Sequence, residues 1–223
     1  SKFNELVKIK KKNNYVLENF TFNKKVTNNF LLKKSKKKKI NIISISNYSY
    51  DRGLDRIINI AKLFKSEKNK GIYFSLIGDY KIKSLKNLII PNPYKDLKLL
   101  ANKRRLDNMK FFGHKKNVIK YLIKANLLIY LPRKDSSWGR NIIEALSLGV
   151  PVITCGVTNT LIKNNVNGYF FKHFEEEKIK NYIKKLIKNR NLLYRMCVNA
   201  KSISSKKYQK SSISKKLIDF IEN

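Results

Sequence analysis

Short apolar runs alternate with stretches of helical periodicity along most of the chain, starting at Ile40. The first run, INIISIS, is rich in β-branched residues and bounded by polar ones, which is typical of a strand buried on both faces of a parallel sheet. After the polar loop NYSYDRG, apolar residues recur at helical spacing from residue 54 to about residue 65. This stretch therefore predicts a strand, a loop and a helix in succession.

The alternation continues towards the carboxyl terminus. Further strands are predicted at residues 72–77, 109–112, 127–131, 150–154 and 169–171. Helices are predicted at residues 94–106, 117–124 and 140–148, in a short segment towards residue 163, and at 175–189, 191–202 and 209–221. Because strands alternate with helices, we expect repeated βαβ crossovers. The predicted fold class is α/β, with a doubly wound, Rossmann-like parallel sheet and extra carboxyl-terminal helices.

The first 39 residues have weaker periodicity. They contain one apolar cluster, YVLENFTF, and a lysine-rich run, KKSKKKK, at residues 33–39. We predict a short strand or two followed by a solvated linker. A nucleic-acid or localisation patch is the alternative interpretation of the lysine run. The predicted division of the chain is a linker at residues 1–39, a packed domain at 40–205 and a terminal helix at 206–223.

The formal net charge of +35 invites a nucleic-acid interpretation, because clustered basic residues displace counterions from polyphosphates. Only 8 of the 50 basic residues are arginine, however, and the lysines are spread along the chain among many Asn and Ile residues. A coding bias towards A and T produces this pattern without selection for a ligand. We therefore favour a generally polyanion-friendly surface over a dedicated face for nucleic acid, which is not the expected partner.

The two cysteines indicate neither zinc nor a disulfide framework, since Cys155 and Cys197 have no CxxC spacing and no neighbouring pair of histidines. A reducing, cytoplasmic environment is the default expectation. No apolar run reaches the ~20 residues of a membrane span, and the first residues are polar rather than those of a signal peptide. The expected contact with a membrane, if any, is peripheral, where anionic lipid attracts lysine.

The loops that follow the predicted strands are the place to look for a ligand, because parallel sheets bind ligands at the carboxyl ends of their strands. These loops contain Asn47 and Arg52, Gly78 and Asp79, Gly113 and His114, residues 135–139, and residues 155–160. Glycines there let the backbone approach a ligand, and helix starts favour phosphate. The motifs GxxxxGK followed by Ser or Thr, and GxGxxG after the first strand, are both absent. The loops therefore predict a nucleotide site outside the two commonest nucleotide folds.

Taken in order, five segments carry a family resemblance: NYSYDRG, LIGD, FFGH, ANLLIYLPRKDSSWGRNIIEALSLGVPVI and NNVNGYFF. Over about residues 40–190 they resemble the carboxyl-terminal, donor-binding domain of the family 4 glycosyltransferases (glycosyl transferases group 1), which have the GT-B architecture. The resemblance implies transfer of a hexose from a UDP- or GDP-linked sugar to a saccharide or lipid-linked acceptor. It implies no metal and no cofactor other than the sugar nucleotide as co-substrate.

The resemblance also assigns two acids. In the family, a loop acid contacts the donor sugar and a helix acid eight positions later contacts the ribose. Glu144 fills the helix position, and a carboxylate accepts two hydrogen bonds from a vicinal diol; the alternative is that Glu144 only complements the dipole of its helix. The loop acid falls at Ser136, with Asp135 one place early, so the sugar contact is either moved to Asp135 or lost.

The basic residues of the first loop depart from the family pattern as well. The paired positions that neutralise the diphosphate leaving group map to Asn47 and Arg52, and only the second is basic. Losing one donor of this type costs on the order of a hundredfold in rate. The acid that the family often has after the strand at 150–154 falls at Thr160. These changes imply reduced activity or an unusual donor.

The remaining candidate donor contacts are neighbours of these positions. We expect Trp138 to pack beneath its loop rather than to stack on a base. His114 contacts base or phosphate, or is an ordinary polar loop residue. Arg140 reaches phosphate or solvent. The other backbone positions expected near the donor are Gly78, Asp79, Gly113 and Gly139.

Family members place an acceptor-binding domain before this one, and residues 1–39 resemble the hinge that leaves it. By the same resemblance, the terminal helix at 206–223 packs back towards the amino-terminal side. We therefore expect a fragment, a truncated product or one subunit of a split enzyme, with the general base in a separate amino-terminal half. The alternative function is a non-catalytic module that binds nucleic acid or anionic membrane on the same fold.

Overall fold

The computed structural model describes residues 26–66, 71–79, 97–133 and 139–208, together with 211, 213–215 and 218–219. Within these residues the core is a sheet of six parallel strands in the order β3-β2-β1-β4-β5-β6. The strands are β1 Ile40–Ile45, β2 Ile72–Ile77, β3 Met109–Phe111, β4 Leu127–Tyr130, β5 Val152–Cys155 and β6 Gly168–Phe171. The predicted α/β class and Rossmann-like parallel sheet are confirmed.

Helices cover the sheet and extend beyond it. They are α1 Asn28–Ser35, α2 Leu54–Ser66, α3 Leu97–Lys103, α4 Ile119–Leu122, α5 Arg140–Ser147, α6 Glu176–Lys188 and α7 Arg190–Lys207. A 3₁₀ turn, Tyr50–Arg52, precedes α2. The break between α6 and α7 lies at Asn189, whose side chain accepts a hydrogen bond from the backbone N–H of Leu192 and so caps α7. Within the described residues, no helix is both long enough and apolar enough to span a membrane.

The strand order reverses between β1 and β4. Ile42 of β1 pairs with Leu127 of β4, whereas the connection from β1 runs to β2 on its other side. All four residues of β4 are buried, as expected for a strand covered on both faces. The reversal leaves a crevice at the carboxyl ends of these two strands, where doubly wound sheets take their ligands.

The short helix predicted towards residue 163 is wrong. The described chain there is a loop that is held by two asparagine side chains. The side-chain amide of Asn159 accepts a hydrogen bond from the N–H of Ile162 and donates one to the C=O of the same residue. The side-chain amide of Asn167 accepts from the N–H of Lys163 and donates to the C=O of Leu161. Asparagine competes with helical hydrogen bonds in this way, so local apolar spacing is a poor guide here.

The predicted strand and solvated linker are also wrong for residues 28–35, which form helix α1; residues 1–25 lie outside the described part. Thr27 caps α1 by accepting a hydrogen bond from the N–H of Phe30. Leu31 is fully buried, and only 3% of Lys34 is exposed. The ammonium of Lys34 donates to the carbonyl of Gly149 at 3.4 Å. Part of the lysine-rich run is therefore packed against the domain and not solvated.

Burial lowers the pKa of Lys34 below its usual 10.5, opposed by the neighbouring Cys197. We expect Lys34→Met to raise the free energy of unfolding by about 1 to 2 kcal/mol at neutral pH, because the methionine removes a buried ammonium group. The unfolded chain binds this proton more tightly than the folded protein, so the native protein gains stability as pH rises from the lowered pKa to 10.5. The gain from Lys34→Met should shrink over that interval.

Denaturant unfolding at several pH values measures this difference. Lys33→Met is the matched control, since Lys33 is exposed on the same helix and its loss should change stability by less than about 0.5 kcal/mol. Equal changes in the two variants would contradict the assignment of a charge cost to Lys34.

Candidate functional site

A cavity of about 690 Å³ lies at the carboxyl ends of β1, β2 and β4, where the strand order reverses. Its walls come from the loops after the strands and from the amino end of α5. The cavity is lined by Ile45, Ser46, Asn47, Arg52, Ile77, Gly78, His114, Lys115, Lys116, Val118, Tyr130, Gly139, Arg140, Asn141 and Glu144. Glu144 is the only acid among these residues, against four lysines and arginines and one histidine. The cavity is therefore suited to an anionic ligand.

The amino end of α5 points its first turn at this cavity, because Gly139, Arg140 and Asn141 all line it. Asn141 anchors the helix start to the sheet. Its side-chain N–H donates to the carbonyl of Ile45 at 2.8 Å, and its side-chain oxygen accepts from the N–H of Ile142 at 2.9 Å. A helix amino end presents unpaired N–H groups and a positive dipole end, which favour phosphate oxygens.

Glu144 lies one turn further along α5 and is half-buried, with 24% of its side chain exposed. Burial raises the pKa of its carboxyl above the usual 4.5, although the charge of Arg140 opposes this shift. The two side chains form a loose ion pair at 3.7 Å, in which Arg140 is largely exposed. A partly desolvated carboxylate in so loose a pair can accept hydrogen bonds from a ligand hydroxyl.

Arg52 reaches the cavity from the loop after β1. Its Nη1 donates to the phenol oxygen of Tyr130, and its guanidinium lies 5.9 Å from the centre of the Tyr130 ring. Tyr130 is the last residue of β4 and is 1% exposed. The cation is therefore attached to the rigid end of a central strand.

The loop that carries Arg52 is fastened to the end of β4 at further points. Arg133 forms a bidentate pair with Asp55, at 2.8 and 2.5 Å, and its backbone N–H donates to the carbonyl of Asp51. Burial raises the pKa of Asp55, but the hydrogen bond and charge of Arg133 outweigh it, so the pKa is lowered. Arg56 donates to the carbonyls of Leu131 and Pro132. The two loops consequently form one unit beside the cavity.

The family model described as "Glycosyl transferases group 1" matches residues 27–203. The chain belongs to the glycosyl transferases group 1 family. A search of curated proteins finds no match. The match includes helix α1 and the whole of the cavity lining, so both are parts of the glycosyl transferases group 1 domain.

Solved structures share the fold of this group 1 domain at low sequence identity. A mutant of TarM from S. aureus, in complex with Fondaparinux, alpha-GlcNAc-glycerol and UDP, is 18% identical with a TM-score of 0.73, over 94% of this chain and 39% of its own. HepE of Anabaena in complex with UDP-glucose is 19% identical with a TM-score of 0.70, over 82% and 49%. A glycosyltransferase from Rickettsia africae ESF-5 is 19% identical with a TM-score of 0.71, over 99% and 60%. The chain thus spans about two fifths to three fifths of these structures.

The group 1 domain brings most of the sequence-predicted site residues together. Seven of them line the cavity: Asn47, Arg52, Gly78, His114, Gly139, Arg140 and Glu144. Gly113 and Asp79 are not in the lining, although the carbonyl of Gly113 accepts from the N–H of Gly78 and that of Asp79 from the N–H of Tyr48. Asp135, Ser136 and Trp138 lie outside the described residues, so their assignments stay predictions.

Some lining residues were not predicted from the sequence. Tyr130 is the clearest, because it sits inside the apolar run LLIYL and reads as core. Its position is the signal that could have identified it, since a phenol at the carboxyl end of a central strand faces the crevice. Lys115 and Lys116 directly follow His114, and a basic pair after a strand was a usable signal within the same loop.

Proposed function

We propose that this chain is the donor-binding half of a GT-B glycosyltransferase that transfers a hexose from a nucleotide-diphosphate sugar, without a metal, to a saccharide or lipid-linked acceptor. The observation that carries the proposal is the basic cavity at the strand reversal, which Glu144 and Arg52 both line. One acid among several cations matches a ligand that has both a diol and a diphosphate. Family membership supports glycosyl transfer as the reaction.

Each group has a role in this proposal. Glu144 accepts hydrogen bonds from the ribose hydroxyls, and Arg52 with the amino end of α5 contacts the diphosphate. Asp135 contacts the donor sugar, one position before Ser136, where the family resemblance places the loop acid. When the bond between the sugar C1 and the diphosphate oxygen breaks, negative charge develops on the leaving group. Donors that are fixed before the reaction stabilise this charge without reorganisation, which lowers the barrier.

The acceptor side of the reaction belongs to the amino-terminal half that the proposal requires. An acceptor hydroxyl attacks C1 and loses its proton to a base supplied by that half. HepE with UDP-glucose and TarM with UDP are examples of similar structures that hold uridine nucleotides, which supports a UDP-linked donor here. We place the protein in the cytoplasm, with a peripheral contact to an anionic membrane surface through its lysines.

Titration calorimetry with UDP, GDP and their glucose conjugates tests the proposal. We expect one nucleotide series to bind with a dissociation constant in the micromolar to millimolar range, unchanged by EDTA. The corresponding nucleoside monophosphate should bind more weakly, because its contacts at the diphosphate position are incomplete. Binding of none of these ligands by a folded protein would refute the proposal. Steeply salt-dependent binding of an oligonucleotide in their place would favour the polyanion-binding alternative.

A further inference from the structure

Arg52 occupies the cavity without the second basic residue that its loop was expected to share, because Asn47 stands at the other position. Arginine has many rotamers, and fixing its side chain on ligand binding costs up to about 2 kcal/mol of conformational entropy. The one basic side chain that this loop contributes to the cavity therefore gains from being held in place before the ligand arrives. The question is which group holds it.

Tyr130 is placed to do this. Its ring is packed in the core at the end of β4, the strand next to β1, and the residue lines the cavity. The hydroxyl accepts from Nη1 of Arg52. The backbone on the other side is fixed as well, because the Arg52 N–H donates to the carbonyl of Ser49 at 3.2 Å within the 3₁₀ turn.

The chemistry of the partner matters as much as its position. Arg133, close by on the same pair of loops, is bound to the carboxylate of Asp55, which neutralises its charge locally. Tyr130 is a neutral acceptor, so its hydrogen bond to Arg52 adds no negative charge beside the guanidinium. Guanidinium has five N–H donors, so a hydrogen bond to Tyr130 is compatible with contacts to phosphate oxygens.

We propose that Tyr130 is a positioning residue that orients the Arg52 guanidinium towards the diphosphate. This inference rests on the proposed function of the cavity. It assigns to a residue of the apolar strand a part in ligand binding through Arg52.

Tyr130→Phe tests the proposal because it removes one oxygen and keeps the buried ring. Calorimetry with UDP and GDP, and competition with uridine and guanosine, separates the contribution of the diphosphate to affinity from that of the nucleoside. We expect about a tenfold loss of affinity for the preferred nucleoside diphosphate and no change for its nucleoside. In an Arg52→Gln background, Tyr130→Phe should have no further effect, since the two groups act as one unit.

Tyr182→Phe is the matched control. Tyr182 is also buried and its hydroxyl also has protein partners, Asn165 and Met196, but it does not line the cavity. Its loss should leave nucleotide affinity unchanged, and thermal unfolding shows whether either variant is less stable.

The outcomes separate this inference from the proposed function. If the wild-type protein binds neither UDP nor GDP, the proposed function fails and the inference fails with it. If the wild type binds and Tyr130→Phe binds equally well, the inference alone is overturned. Equal losses for diphosphate and nucleoside, or additive effects of Tyr130→Phe and Arg52→Gln, overturn it too, because they indicate a merely structural role.

Discussion

Replacing Glu144 by alanine is expected to weaken binding of the sugar nucleotide by about 10- to 100-fold. A carboxylate that accepts hydrogen bonds from ligand hydroxyls contributes more than a neutral group, and its removal leaves those hydroxyls without partners in a partly desolvated site. Calorimetry with UDP-glucose and GDP-linked glucose measures the change. Asp107→Ala is the control, because Asp107 precedes β3 at the opposite end of the sheet and 82% of its side chain is exposed.

The same variant series has a pH signature. Burial raises the pKa of Glu144 above 4.5, with Arg140 opposing, so the carboxylate is lost at a higher pH than in an exposed glutamate. Nucleotide affinity of the wild-type protein should fall as pH is lowered through this raised pKa, since the protonated acid accepts hydrogen bonds less well. Glu144→Gln should lack this component. Titration of the ligand itself affects both proteins equally and drops out of the comparison. Parallel pH profiles of nucleotide affinity for wild type and Glu144→Gln would therefore contradict a direct role for the carboxylate.

Asp135→Ala should affect donor binding less than Glu144→Ala. By the family resemblance, Asp135 lies one position before the expected loop acid and Glu144 lies at the expected helix position, and Glu144 lines the cavity. Negligible effects of both substitutions would refute the assignment of this cavity as the donor site.

Gly53→Ala is expected to lower the free energy of unfolding by about 2 to 4 kcal/mol. The residue has φ of 63°, a left-handed conformation that costs a side chain about 1 kcal/mol or more. A Cβ atom there would also lie 2.0 Å from the carbonyl oxygen of Leu131, so the loop after β1 would be pushed away from β4. The displaced loop carries Arg52, and nucleotide affinity should fall along with stability. Chemical denaturation and calorimetry measure the two effects.

Gly113→Ala separates the two causes. Gly113 has φ of 68°, nearly the same as Gly53, but a Cβ atom there would meet nothing within 4 Å. Its substitution should cost only the conformational term, about 1 kcal/mol. If the two alanine variants are equally stable, the close contact with Leu131 is not what the glycine at position 53 is needed for.

Most of the fold follows from periodicity because the central strands are continuous apolar runs. Residues 72–77 were predicted as a strand and form β2, and the helix predicted at 140–148 is α5. Helix α1 was not predicted from the sequence because its stability comes from distant partners. Its buried face includes Lys34 and Ser35, which local patterns assign to solvent. The burial of this face is explained only by the packing of Leu31 on residues over a hundred positions away.

The site residues were predictable where they stand in a polar loop after a strand, and not where they belong to the apolar strand itself. Arg52 and His114 stand in polar loops, so their types and positions point to the crevice. The apolar neighbours of Tyr130 predict a core residue, and its proposed role depends on a hydrogen bond to a residue 78 positions earlier. Contacts of that kind are decided by which strands are adjacent, and strand order is not encoded in local periodicity.

Helix α1 also constrains the order in which the domain acquires its structure during synthesis. Its Lys34 ammonium binds the carbonyl of Gly149, 115 residues later, and Leu31 lies against Gly149 beside the Cys197 carbonyl. An eight-residue helix is not stable alone in water. Gly149 and Cys197, against which it packs, are synthesised after it, so the helix has no packing partner until they emerge. We therefore expect the first described helix to leave the ribosome to be among the last to be fixed, after α7 has emerged.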